Sequence, residues 1–345
     1  MTRYVFIGAG AIGSMIGGLL ADQHSEVLLV ARGEHAQTMI NSGLTLRCPD
    51  TTLTVQPPTI TSPENVQLRS DDVLVLSTKT QQAEAAITQW ADVQVYDGDT
   101  VVGRAADQLP ILTALNGVAS EEIALRYFDR VFGVCVWAPA VMINPGEVFV
   151  RAAPQRGTFH IGRYPQSAES DHDHALLAAV AEDWGRAGCL VRTPPDVMPW
   201  KYRKLISNLG NAVMALLGDT ADADDIKRAV DGEARDVLRE AGIAVTSDTD
   251  ESAARAAGSA IQPVPGEPEQ LGGSTWQSLV RGTGSVETDY LNGEIALIAR
   301  RLGRTAPLNA RLAALARDAA RSGTRPGSIT TDQLRAALLP TAEAS

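Results

Sequence analysis

The sequence predicts an α/β N-terminal domain built on a parallel sheet, followed by an all-α C-terminal domain. Three observations predict it. Short apolar runs alternate with helix-length segments through the first half of the chain, the pattern of strand–helix–strand units. The first two runs flank a glycine-rich turn, Gly8-Ala9-Gly10-Ala11-Ile12-Gly13. From Met198 onward the apolar spacing becomes helical. At 345 residues the chain is long enough for two separate cores. Thr193-Pro194-Pro195-Asp196 reads as the linker, because consecutive prolines stop regular structure. The expected domains are therefore 1–195 and 196–345.

Each element has its own signal. Tyr4-Val5-Phe6-Ile7 is a first strand, and Glu26 to Ala31 a second. Asp72 to Ser77 carries an uninterrupted apolar run, Val73 to Leu76, bounded by polar residues, as a strand covered on both faces should be. Pro110 to Leu115 and Val131 to Trp137 repeat the pattern. Val148 to Ile161 reads as antiparallel additions, Asp173 to Arg186 as a helix, and Cys189 to Arg192 as the strand that closes the domain. In the second half, Tyr202 to Leu217 and Ser285 to Leu302 are long apolar helices, the latter ending before Gly303 and Pro307. Pro263 to Gly273 is a loop, and Asp332 to Leu339 forms one weak amphipathic set.

The glycine turn carries chemistry. Only glycine lets a backbone turn so tightly and approach a pyrophosphate, and a helix beginning there aims free N–H groups at the anion. G-x-G-x-x-G alone is a weak signal; with a strand before it and a helix after it, it marks a dinucleotide site. An acid after the second strand would bond the ribose 2′-hydroxyl of NAD. Arg32 stands there instead, which suits the 2′-phosphate of NADP(H). Val5 to Ala21 has no charge and could be mistaken for a targeting or membrane segment. Its glycines, the lack of a basic leader and of a cleavage site, and its shortness oppose that.

A net charge of −11 argues against nucleic acid or an anionic membrane as partner. An anionic cofactor must then meet local basic groups, which singles out Arg32 and Lys79. Cys48, Cys135 and Cys189 are too few and too scattered for a disulfide framework or a zinc site. No metal is expected, and a reducing cytoplasm fits.

Candidate site residues fall in three clusters. Lys79 and Asn116-Gly117 follow successive strands, at the carboxyl edge where doubly wound folds bind ligands. Each alone could be an ordinary solvated or turn residue, Asn116 at positive φ; together they favour a site. Lys204, Asn208 and Asn211 recur at i, i+4, i+7, one face of a helix. A polar stripe on an apolar helix needs partners or a cavity, so it is either an internal hydrogen-bond network or a substrate cleft. The third cluster is Ser274-Thr275-Trp276-Gln277 with Glu287-Thr288-Asp289-Tyr290-Leu291-Asn292-Gly293. Asp289 and Tyr290 read as structural. Glu287 is the acid to watch, since a carboxylate near Lys204 would keep it protonated and oriented.

In this order the clusters resemble the ketopantoate reductase (2-dehydropantoate 2-reductase) family over nearly the whole chain. The residues that carry the likeness are Gly8 to Gly13, Lys79, Asn116-Gly117, Trp200 to Leu205 with Asn208, and Glu287 to Gly293 running on to Pro307-Leu308-Asn309. The resemblance implies a Rossmann-type domain and a helical domain like that of 6-phosphogluconate dehydrogenase. It also implies a cleft for NADPH and a small 2-keto acid, reduction of ketopantoate to (R)-pantoate, and a place in pantothenate biosynthesis. By similarity Lys204 would be the general acid, Asn208 and Ser274 substrate contacts, Glu287 a ligand near the nicotinamide ribose, and the Ala138 backbone a cofactor contact; Asn211, on the same helix face, is a further candidate substrate contact.

The family's Asn-x-x-x-Asn-Pro after the lysine is altered, with Ala212 in the second asparagine's place, Asn211 one position early and no proline. One residue is inserted between Gln277 and Glu287, so Ser274 and Thr275 both stand as the substrate contact. Ketopantoate and another 2-keto acid or imine are accordingly the competing substrates, and a non-catalytic NADP(H) sensor is the reading from a different class. Apolar helical faces allow a homodimer without requiring one.

Overall fold

The structure is a computed structural model, and it describes residues 2–219, 222–258, 260–268 and 271–339. They form two compact units: Met1–Trp200 with Ser247–Glu267, and Lys201–Thr246 with Pro268–Ser345.

The first unit is built on an eight-stranded sheet. Its strands run, edge to edge, Leu190–Arg192, Thr158–Tyr164, Arg130–Trp137, Pro110–Thr113, Asp72–Leu76, Arg3–Ile7, Glu26–Val30, Thr59–Ile60. From Arg130–Trp137 to Thr59–Ile60 all neighbours are parallel; Thr158–Tyr164 is antiparallel to Arg130–Trp137. The chain leaves Arg3–Ile7 toward one edge and returns to Asp72–Leu76 on its other side, so strand order reverses there. That is where an open α/β sheet binds ligands, outside the carboxyl ends. The uninterrupted apolar strands follow from burial on both faces. Tyr4 and Phe6 enter one core while Val5 and Ile7 enter the other, as the alternation of a strand requires.

The helix that predicts from Asp173 begins at Asp171. Ser170 accepts from the Asp173 N–H and Asp173 bonds back to the Ser170 N–H, a capping box that sets this start. The expected antiparallel additions divide among three sheets, with Ala152–Ala153 pairing with Ala260–Ile261 in a two-stranded one. Thr158–Tyr164 extends the main sheet, whereas Glu147–Val150 pairs parallel with Leu44–Arg47 and antiparallel with Ala140–Val141 in a smaller one.

The division differs from a single cut at residue 195. The proline linker is irregular as expected, but the unit boundary falls after Trp200, inside a helix running Met198–Leu217. Asp196 caps that helix by accepting from the Met198 N–H at 2.9 Å. Ser247–Glu267 belongs with the first unit for a local reason. Ala260–Ile261 pairs with Ala152–Ala153, Arg151 bonds Glu267 at 2.7 Å, and the Arg255 guanidinium lies 3.8 Å over the Trp137 ring. Such non-local contacts leave no trace in local periodicity.

The second unit is helical among its described residues. Asp224–Glu240, Asn292–Arg301 and Pro307–Arg321 pack on one another, and Thr331–Leu338 packs on Pro307–Arg321. The single helix expected over Ser285–Leu302 is two pieces, a 3₁₀ turn Glu287–Tyr290 and the helix Asn292–Arg301. Leu291 leaves helical geometry (φ −116°, ψ −92°) between them. Apolar spacing is blind to a break that the Asn292 side chain holds by tertiary bonds.

Candidate active site

In the first unit every expected cofactor residue lies at the carboxyl end of a central strand. Gly8–Gly13 follows Arg3–Ile7, Arg32 follows Glu26–Val30, Lys79 follows Asp72–Leu76, Asn116 follows Pro110–Thr113, and Ala138 follows Arg130–Trp137. Gly8 has φ +99°, and a Cβ there would come within 2.9 Å of the Thr78 backbone nitrogen. A Cβ on Gly13 would collide with Ser77 Oγ and the Gly8 carbonyl. Gly10 is different, with nothing within 4 Å of its Cβ position. Two glycines thus close the turn, and the third leaves open space over the start of the helix Ala11–Asp22. The first N–H groups of a helix lack intrahelical acceptors, so this space is an anion cradle, and the residues present fit a dinucleotide pyrophosphate.

Around the cradle, Arg32 is exposed and occupies the N-cap of the helix Gly33–Ser42. Lys79 is half-buried and precedes the turn Thr80–Gln82. Thr80 Oγ1 donates to the Asn116 carbonyl at 3.1 Å, which joins the turns carrying Lys79 and Asn116. Positive φ belongs to Gly117 (+80°) and not to Asn116; among described non-glycine residues only His24 has it. The Asn116 side chain is therefore not explained by backbone strain. The Ala138 carbonyl accepts from the Ala140 N–H at 2.9 Å. One residue escaped the sequence reading: the Thr78 hydroxyl, beside Gly8, is buried without a hydrogen-bond partner among the described residues. A hydroxyl at a strand's carboxyl end is its only sequence signal.

In the second unit the stripe on Met198–Leu217 survives. Asn208 is 6 % exposed, and Lys204 and Asn211 are half-buried. Asn211 meets Ser274–Val280 at its start, since a Cβ on Gly273 would lie 2.8 Å from Asn211 Oδ1. The Gly273 N–H also points at Met214 Sδ, 3.4 Å away. Asn211 and Ser274 are thereby brought to one place. Ser274 Oγ is buried with no hydrogen-bond partner among the described residues, while Thr275 is buried. An unpartnered hydroxyl costs free energy unless something binds it, so Ser274 Oγ is the hydroxyl of this pair left able to take a ligand. Glu287 is 4 % exposed in its 3₁₀ turn. Lys204, Asn208 and Glu287 each hold a polar or electrostatic contact.

A network absent from the spacing argument ties these elements together. The Asn292 amide donates to the Leu209 carbonyl at 3.3 Å and to Asn309 Oδ1 at 3.0 Å, and it accepts from Thr288 Oγ1 at 3.4 Å. Asn309 donates to Glu233, whose carboxylate also takes the Leu308 and Asn309 N–H groups at 3.0 and 2.8 Å. Leu209 adjoins Asn208 and Thr288 adjoins Glu287, so one buried amide holds the backbone beside one candidate residue and the hydroxyl beside another. Asp289 pairs with Arg317, the structural part expected of it. Among the described residues no His, Cys, Asp or Glu cluster could hold a metal, and no helix is long and apolar enough to cross a membrane.

Comparison with known proteins agrees with this fold. Residues 4–166 match the family model described as ketopantoate reductase PanE/ApbA, and residues 196–320 match its C-terminal counterpart. The chain is 29 % identical over 321 residues to a 2-dehydropantoate 2-reductase of Pyrococcus horikoshii, covering 91 % of this chain and 96 % of that one. A PanE/ApbA family ketopantoate reductase from Ralstonia eutropha JMP134 superposes with a TM-score of 0.72 at 25 % identity, over 94 % of this chain and all of that one (100 %). A D-mandelate dehydrogenase solved with NADH and anilino(oxo)acetate shares the fold, with a TM-score of 0.73 at 20 % identity over 93 % and 99 % of the two chains. The chain belongs to the ketopantoate reductase family.

Proposed function

We propose that this protein reduces ketopantoate to (R)-pantoate with NADPH, in the cytoplasm, as a step of pantothenate biosynthesis. The observation that carries the reading is the grouping of the Lys204 and Asn208 face with Asn211 and the unpartnered Ser274 hydroxyl. A bound NADPH supplies hydride to the ketone carbon. Lys204 Nζ then stabilises the charge that grows on the carbonyl oxygen and gives it a proton, which completes the 2-hydroxy acid. Asn208, Asn211 and Ser274 hold the substrate's polar groups, and Glu287 bonds near the nicotinamide ribose. Gly8–Gly13, Lys79, Asn116 and Ala138 hold the dinucleotide, and Arg32 reads its 2′-phosphate.

Ala212 favours one alternative. It is buried where the family carries an asparagine, so the pocket offers a different polar set, and another 2-keto acid or an imine is the second substrate reading. The test is initial-rate oxidation of NADPH with ketopantoate beside a panel of 2-keto acids. Saturable turnover highest on ketopantoate supports the first reading, and a better panel member moves the substrate. Lys204→Ala should lower kcat by on the order of 10²; near-wild-type turnover would remove its role as acid.

A further inference from the structure

Three parts of the proposed cofactor surface are joined by one directed chain of hydrogen bonds. The Gly146 N–H donates to His35 Nδ1 at 2.8 Å. A backbone N–H is an obligatory donor, so Nδ1 carries no proton and the ring's proton sits on Nε2. His35 Nε2 lies 3.1 Å from Ser14 Oγ and therefore donates to it. Ser14 Oγ in turn donates to the Ala9 carbonyl at 2.9 Å. Each group in the chain has one direction only.

The ends of this chain give it meaning. Ala9 lies inside the glycine turn, and its own N–H bonds the Val30 carbonyl at 2.7 Å. Both peptide planes flanking Ala9 are thus held before an anion arrives. His35 stands on the helix that Arg32 caps. Gly146 precedes Glu147–Val150, the strand that pairs with Ala140–Val141 just after Ala138. Gly146 has φ +75°, and a Cβ there would collide with Thr38 Cγ2, so only glycine brings this N–H to the ring. Ser14 is fully buried on the first turns of the helix Ala11–Asp22. An apolar residue at 35 would pack as well; an imidazole adds an acceptor on one side and a donor on the other.

We propose that His35 is a positioning residue for the dinucleotide, fixing the Ala9 carbonyl through Ser14 and the turn beyond Ala138 through Gly146. The proposal rests on the cofactor reading above. A turn already held in its bound shape takes a ligand more tightly because its ordering cost is met before the ligand arrives.

The test measures dissociation constants of NADPH and NADH by protein fluorescence for the full chain and three variants, with kcat at saturating cofactor. His35→Ala and Ser14→Ala should each weaken both cofactors by about tenfold, the scale of one lost buried hydrogen bond, and leave kcat unchanged. His35→Gln, whose amide offers both an acceptor and a donor, should restore binding. Nitrogen-15 spectra of the wild-type ring should show the proton on Nε2. If His35→Ala binds both cofactors like wild type and only melts earlier, the residue is structural and the proposal falls. If His35→Ala does not fold, Ser14→Ala and His35→Gln decide alone: wild-type binding in Ser14→Ala, or no binding in a folded His35→Gln, overturns it. A wild-type protein that binds neither dinucleotide removes the cofactor reading and this proposal together, whereas wild-type binding with indifferent variants removes only the proposal.

Discussion

The imidazole of His160 lies stacked on the indole of Trp200, with ring centroids 3.9 Å apart and planes 13° from parallel. Trp200 occupies the first turn of the helix Met198–Leu217, one turn before Lys204, and its carbonyl accepts from Cys135 Sγ at 3.4 Å. Neither ring nitrogen of His160 has a hydrogen-bond partner among the described residues. The stack is held by shape and dispersion, and a charge on this buried ring would lack a hydrogen-bond partner.

Burial pushes His160 down to a pKa of about 4, and the charge of Arg192 acts in the same direction. In the unfolded chain the ring takes its proton near the ordinary value of about 6.5. The neutral ring therefore stabilises the fold fully above that value, and the contribution is lost as pH falls from there toward 4, up to about 3 kcal/mol. Urea midpoints at neutral pH and near the lower end of that window should fall less in His160→Phe than in wild type. Equal acid losses would count against a neutral buried ring.

The proposed reader of the 2′-phosphate is Arg32, an exposed guanidinium at the carboxyl end of Glu26–Val30. Arg32→Ala should lower the NADPH-over-NADH ratio of kcat/KM by about tenfold or more, the scale of one charge-assisted bond. Stability should hardly change, because the side chain is exposed. An unaltered ratio would mean that another group reads the 2′-phosphate.

Ser274 and Thr275 should separate cleanly. Ser274→Ala removes an unpartnered buried hydroxyl, so the substrate-free protein should be as stable as wild type or more so. The same change should raise KM for the keto acid by about tenfold, for one lost bond. Thr275→Ala is expected to act on stability, since that side chain is buried. Reversed effects in melting temperature and KM would exchange the two roles.

The Asn292–Asn309–Glu233 network should be costly to cut. Asn309→Ala leaves the fully buried Asn292 amide without its Asn309 partner, at about 1–3 kcal/mol by the cost of an unsatisfied buried group. Denaturant midpoints measure this. Because Asn292 bonds Leu209 and Thr288, kcat should fall in Asn292→Ala beyond what the loss of folded protein explains, as an active-site titration against bound cofactor would show.

Much of the site was legible in the chain because its signals are local. Tyr4–Ile7 and Gly8–Gly13 announce a strand and a turn that steric limits on φ enforce wherever they occur, and a polar stripe at 204, 208 and 211 must share one helix face by helical geometry alone. Apolar runs likewise set the central strands, since burial on both faces permits little else. What only the tertiary structure decided are the long-range pairings. The return of Ser247–Glu267 to the first unit, the split of the additions among three sheets, and the break at Leu291 depend on partners far along the chain. So does the unpartnered state of the Ser274 hydroxyl, which packing leaves buried among the described residues. A residue's type states what it can bond; only packing states what is left for it to bond.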